Sequence, residues 1–105
     1  MAEFSIKTSE DDRRTLVVAG EFDIATTEEF RDQAQVCLDA GVATIEVDLS
    51  GVTFIDSSGL GALVGLRKEC AQSGSALVLL GVPPTVTRLF EITGLATIFD
   101  VRAGG

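Results

Sequence analysis

The chain has 105 residues, 46% hydrophobic and 23% charged, with a net charge of −8; it is long enough to bury one core, too apolar for disorder, and too acidic for nucleic-acid phosphates or an anionic membrane surface. It contains no histidine, tryptophan or tyrosine and six phenylalanines; this excludes Ser-His-Asp and Cys-His catalysis and most zinc sites and leaves little for a base-stacking platform. The longest apolar runs are about five residues, such as Ala76 to Leu80, where a membrane span needs about 20; the residues from Met1 to Phe4 lack the basic and apolar regions of a signal peptide, so the expectation is a cytoplasmic protein.

Phe4-Ser5-Ile6-Lys7-Thr8 alternates apolar and polar, as a half-buried strand does. A polar turn, Glu10-Asp11-Asp12-Arg13, leads to a β-branched run from Thr15 to Gly20, so the two segments read as an antiparallel hairpin. Gly20-Glu21-Phe22-Asp23 breaks the pattern. Thr26-Thr27-Glu28-Glu29 then has the spacing of a capping box, with Thr26 the cap and Glu29 reaching back. Phe30, Ala34, Cys37 and Leu38 form one helical stripe, and Gly41 is placed to end it.

Thr44 to Leu49 alternates again, with Ile45, Val47 and Leu49 toward a core and Thr44, Glu46 and Asp48 toward water. A strand wetted on one face implies helices on the other face only. Ser50-Gly51 is a turn or bulge, after which Val52 to Ile55 runs into Asp56-Ser57-Ser58-Gly59-Leu60-Gly61. The helical pattern beyond uses Leu60, Leu63, Leu66 and Cys70, and Ser73-Gly74 ends it. Gly61 and Gly65 within it each cost about 1 kcal/mol relative to alanine, which close approach to the sheet or to a partner would offset. Ala76 to Leu80 reads as a fully buried strand. Pro84 opens a third helix with Val86, Leu89 and Phe90 on its stripe and Gly94 as its stop, Thr97 to Val101 reads as a last short strand, and Ala103 to Gly105 as a frayed tail.

The expected fold is therefore α/β: one domain over residues 1–105, in the order β-β-α-β-α-β-α-β. Its single mixed sheet has about five strands, and its helices lie mainly on one face. Right-handed crossovers and neighbouring succession give the strand order 1-2-3-4-5. Cys37 and Cys70 fall on helices that share a sheet face, either as two small buried apolar residues or as a redox pair.

The chemistry gathers at the central stretch. Asp56 or Ser57 lies where an N-cap belongs, and capping alone accounts for an Asp-Ser-Ser cluster. The same helix N-terminus, with free N–H groups and partial positive charge, can receive a phosphate. A phosphoryl group on Ser57 adds about −1.5 to −2 charges, beside a carboxylate that repels it, so the expected effect is at the surface rather than on the fold. Gly59-Leu60-Gly61 is neither a dinucleotide fingerprint, since Val64 stands where the third glycine belongs, nor a P-loop, which needs G-K-[ST]. No base stands near Ser57, so no catalysis is expected. Asp23 follows a strand end as Asp56 does, either as a surface-turn aspartate or as part of an acidic rim around Ser57.

Gly20-Glu21-Phe22-Asp23, the run from Asp48 to Gly61 and the run from Arg88 to Leu95 together resemble the STAS family, and more narrowly its bacterial anti-sigma factor antagonists. The resemblance covers almost the whole chain. It implies a non-enzymatic protein without cofactor or metal that binds an anti-sigma factor/serine kinase and so releases a sigma factor. It implies phosphorylation of Ser57 by that kinase, loss of binding, and restoration by a PP2C-type phosphatase. It places Asp23 and Asp56 beside the phosphosite and Ser58, Gly59, Leu60 and Gly61 on the docking surface. Two departures stand out: Phe22 replaces the usual leucine, and the chain stops soon after the last strand, where many members have a further helix. A monomer or weak homodimer is expected. The alternative is a non-switching STAS subunit of a signalling scaffold or of a lipid-transport complex.

Overall fold

The computed structural model describes residues 2–9 and 11–103; Glu10 of the expected turn and Gly104 and Gly105 of the expected tail lie outside them. Five strands, β1 (Ala2–Thr8), β2 (Arg13–Phe22), β3 (Thr44–Ile55), β4 (Ala76–Leu80) and β5 (Asp100–Arg102), form one sheet in the order β1-β2-β3-β4-β5. β1 and β2 pair antiparallel and the remaining neighbours pair parallel. Three helices, α1 (Thr27–Asp39), α2 (Ser57–Ser73) and α3 (Pro84–Thr93), make the crossovers. This is the mixed five-stranded α/β arrangement the sequence implies.

Alternation in the strands supplies the core from one face. Leu16, Val18, Ile45, Val47, Leu49 and Leu79 are fully buried, and Phe30, Ala34 and Cys37 of α1 and Leu63, Leu66 and Cys70 of α2 pack in the same cluster. Three phenylalanines, Phe4, Phe22 and Phe30, join β1, β2 and α1, with the Phe22 and Phe30 rings 4.8 Å apart. The opposite face of the sheet carries a shallow groove lined only by strand residues and Ala103, among them Lys7, Arg13, Thr15, Glu46 and Asp48.

Five expectations are corrected in detail. Glu46 does lie on the helix-free face but is only 9% exposed, because the Thr15 hydroxyl donates to its Oε1 at 2.8 Å and the Arg13 guanidinium lies 3.4 Å away. β4 is buried on both faces only at Val78 and Leu79, and Ala76 is exposed. The last strand starts later than expected, since Leu95–Thr97 winds into a 3-10 turn after the left-handed Gly94 and Phe99 turns inward to stack on Phe90. Thr26 begins α1 as expected, but its side chain makes no capping hydrogen bond. Gly61 and Gly65 have open space where a Cβ would stand, so of the two expected compensations it is the approach to the sheet that they do not make; Gly59 makes it.

β3 is the longest strand because it absorbs two irregularities. Its pairing with β2 slips between Val17 and Ala19 and again between Gly20 and Glu21. These slips place Ile55 opposite Phe22 in the core and Phe54 opposite Glu21, half exposed. The chain leaves β3 directly into α2.

Candidate functional site

The β3–α2 junction is built around Asp56. Its backbone is extended, and its Oδ1 accepts from the N–H of Ser58 at 2.9 Å and of Gly59 at 3.1 Å. This is the N-cap anticipated from the sequence, made by Asp56 rather than Ser57. The Asp56 carbonyl accepts the Leu60 N–H, the first hydrogen bond within the helix, while the Asp56 N–H reaches the Phe22 carbonyl of β2 at 3.4 Å. A helix N-terminus has four N–H groups without intrahelical partners. Here those of Asp56, Ser58 and Gly59 are taken, which leaves only that of Ser57 outside these bonds.

Gly59 is required by proximity. A Cβ on it would stand 2.6 Å from the Phe22 carbonyl oxygen and 2.8 Å from Ile55 Cγ1. The first turn of α2 thus rests directly on the end of β2, and that contact fixes the height of the turn that carries Ser57. Ser57 is exposed, Ser58 half-buried, Gly61 exposed, and Gly59 and Leu60 buried. The six residues expected at a docking surface therefore divide. Asp23, Asp56, Ser58 and Gly61 reach the surface, whereas Gly59 and Leu60 lie beneath it and hold it in place.

Asp23 comes to the same edge through the β2–α1 turn. β2 and β3 are parallel, so Phe22 and Ile55, the residues before the two aspartates, are register partners. The turn is held by Thr26, whose buried hydroxyl accepts the Asp23 N–H at 3.1 Å and has the Glu21 and Asp23 carbonyls within 3.2 Å as acceptors. The Asp23 carboxylate in turn accepts the Ala25 N–H. The capping-box spacing pointed at the right threonine but at the wrong bond; the Asx turn here is the Asp23–Ala25 bond, and the Thr26 hydroxyl braces it from the far side.

The two thiols lie elsewhere. Cys37 and Cys70 are both buried and free, on α1 and α2. Burial raises both, and Cys70 is pushed up to about 11, so neither is a reactive thiolate at neutral pH.

Among the described residues no helix is long and apolar enough to cross a membrane. Residues 6–101 match the family model described as Mlab, STAS domain. Over 97 residues the chain is 37% identical to the anti-sigma-B factor antagonist of Listeria monocytogenes, covering 92% of this chain and 85% of the relative. A putative anti-sigma factor antagonist from Thermotoga maritima superposes with a TM-score of 0.86 at 27% identity, covering 97% of this chain and 86% of the other. The phosphorylated form of the Bacillus cell fate determinant SpoIIAA shares the fold, with a TM-score of 0.77 at 24% identity over 98% of this chain and 92% of that one. A match that spans the sheet, all three helices and the Asp56–Gly61 junction leaves one assignment: the chain belongs to the STAS-domain family.

Proposed function

We propose that this protein is an anti-sigma factor antagonist whose binding is switched by phosphorylation of Ser57. In its unphosphorylated form it docks on an anti-sigma factor that is also a serine kinase, and the sigma factor is released. The kinase transfers the γ-phosphoryl group of ATP to the Ser57 hydroxyl, and ADP and a proton leave. A PP2C-type phosphatase hydrolyses the phosphoserine. The protein itself catalyses nothing and works in the cytoplasm.

The observation that supports this reading best is the exposure of Ser57 on the first turn of α2, directly after a carboxylate already committed to capping. The backbone is held on both sides, by the Asp56 cap and by the Gly59 contact to β2. A phosphate would therefore add about −1.5 to −2 charges and bulk to a rigid surface, and a partner fitted to the bare hydroxyl would lose its fit. Asp23, Asp56, Ser58 and Gly61 form the surface around it, and the names of the relatives supply the kind of partner.

The deciding experiment mixes the protein with each serine-kinase anti-sigma factor of its own genome and ATP, and maps the modified residue. Ser57 should carry the phosphate. Ser57→Ala should hold the kinase in the presence of ATP, and Ser57→Asp should bind weakly. Failure of all these kinases to modify Ser57 defeats the switch, and equal affinity of the two variants defeats the charge mechanism.

A further inference from the structure

Two large apolar side chains stand in solvent at the edge that carries Ser57. Ile24, in the turn after β2, is 75% exposed, and Phe54, near the end of β3, is 50% exposed. Single exposed apolar residues are ordinary on protein surfaces; Val36 on α1 is one. Ile24 and Phe54 differ in their placement. Ile24 follows Asp23 and Phe54 lies two residues before Asp56, and the β2–β3 pairing Phe22–Ile55 holds the two segments together. They therefore bracket the junction from two chain segments.

The surroundings of the pair specify what could cover it. Residues 20–30 and 53–61, which form this edge, contain Glu21, Asp23, Glu28, Glu29 and Asp56 and no lysine or arginine; Arg31, next on α1, lies against α2 beside Gly65 and Glu69. On α2 the first bases, Arg67 and Lys68, come ten and eleven residues after Ser57, about 15 Å along the helix axis. A complementary surface is basic, with an apolar recess inside the basic rim.

We infer that Ile24 and Phe54 are the apolar anchors by which this chain docks on its kinase, seated in an apolar recess that basic side chains of the kinase surround. The inference rests on the interface proposed above and adds the residues that carry its affinity. It also bears on how the switch works. Against a basic partner an added phosphate strengthens long-range attraction, so charge repulsion alone cannot release the complex. A phosphate on Ser57, three residues from Phe54, instead has to be desolvated when the apolar contact closes, and stripping water from a charge is far more costly than stripping it from a hydroxyl. The apolar anchors are what turn the phosphate into an obstacle.

The test measures binding of the kinase to the unphosphorylated full chain by calorimetry or surface plasmon resonance, at low and high salt. Ile24→Ser and Phe54→Ser should each weaken binding at least about tenfold, as loss of a buried anchor does, at both salt concentrations and mainly through faster dissociation. Val36→Ser should bind as the parent does. Binding of the parent should weaken as salt rises, and Ser57→Asp should not recover at high salt. Thermal unfolding checks each variant; Ile24→Ser, at a site three-quarters exposed, keeps the test intact if Phe54→Ser unfolds. Parent-like affinity of Ile24→Ser overturns the inference while leaving the proposed function standing. Recovery of Ser57→Asp at high salt overturns the desolvation argument, and a parent chain that binds none of the kinases overturns the interface and the anchors together.

Discussion

Replacing Gly59 by alanine tests whether the α2–β2 contact positions the site. The added Cβ would stand 2.6 Å from the Phe22 carbonyl oxygen, 2.8 Å from Ile55 Cγ1 and 3.2 Å from Phe22 Cγ. The Ile55 methylene can shift, but the carbonyl is backbone, fixed in the last pair of the β2–β3 ladder. The first turn of α2 must therefore lift from the sheet, and the Gly59 N–H that lies 3.1 Å from Asp56 Oδ1 lifts with it. Overpacking of this kind costs about 1–3 kcal/mol. Alanine also gains up to about 1 kcal/mol over glycine as a helix former, so Gly61→Ala, with nothing within 4 Å of its Cβ, serves as the reference. The difference between the two variants isolates the steric cost at about 1–3 kcal/mol. For a domain near this size each kcal/mol moves the thermal midpoint by roughly 4–8 °C. Urea unfolding with a common slope measures it directly. Equal midpoints for Gly59→Ala and Gly61→Ala would refute the claim that α2 rests on β2 through this glycine.

Four further outcomes follow, two from the junction and two from the buried thiols. Asp56→Ala should lose about 1 kcal/mol in urea unfolding through loss of the cap, and Asp56→Asn, whose side-chain oxygen can still accept, should retain most of it. Ser57→Asp should leave stability within about 0.5 kcal/mol of the parent, as surface substitutions usually do, so a large fall in its thermal midpoint would contradict the rigid-surface switch. Both thiols should be silent to a thiol reagent at pH 8 until denaturant is added, when two should react per chain. Because burial raises the Cys70 thiol from about 9 to about 11, the folded state holds a proton there that the unfolded chain has released. Stability from this group is therefore complete below about pH 9 and falls as pH rises toward 11.

The junction was legible in the sequence because its local rules agree. A β-branched and aromatic run ends at an aspartate, an aspartate caps a helix, and a helical stripe follows; each names the same boundary. Where a residue's partner comes from tertiary structure, the sequence pattern gave less. Alternation places Glu46 on the helix-free face correctly, but its burial depends on Thr15 and Arg13 of the neighbouring strand. Thr26 satisfies the capping-box spacing, yet the β2–α1 turn brings carbonyls to its hydroxyl first and the capping bond is not made. Phe54 continues the run from Val52 to Ile55; the first register slip of β3 falls at the Ser50-Gly51 bulge the sequence marks, but the second, between Val52 and Phe54, is invisible to a strict two-residue period. All three errors concern which side chain meets which, and none concerns which elements form.

The cap also bears on which of the two adjacent serines the proposed switch would use. The Ser58 N–H is bound to Asp56 and the residue is half-buried in the first turn, whereas Ser57 is exposed. Sequence alone allowed free N–H groups at this helix terminus to receive a phosphate. The structure shows Asp56 Oδ1 already holding those of Ser58 and Gly59, and the Phe22 carbonyl holding that of Asp56. A phosphate on Ser57 would therefore find little of the helix terminus to settle into, and a carboxylate beside it would oppose its approach to what remains. Under the proposed switch its charge and its hydration shell would stay on the outer surface, where a docking protein would meet them. A site that absorbed the phosphate would change its own fold and hide the signal. A site whose N–H groups are taken in advance leaves the signal where a partner can read it.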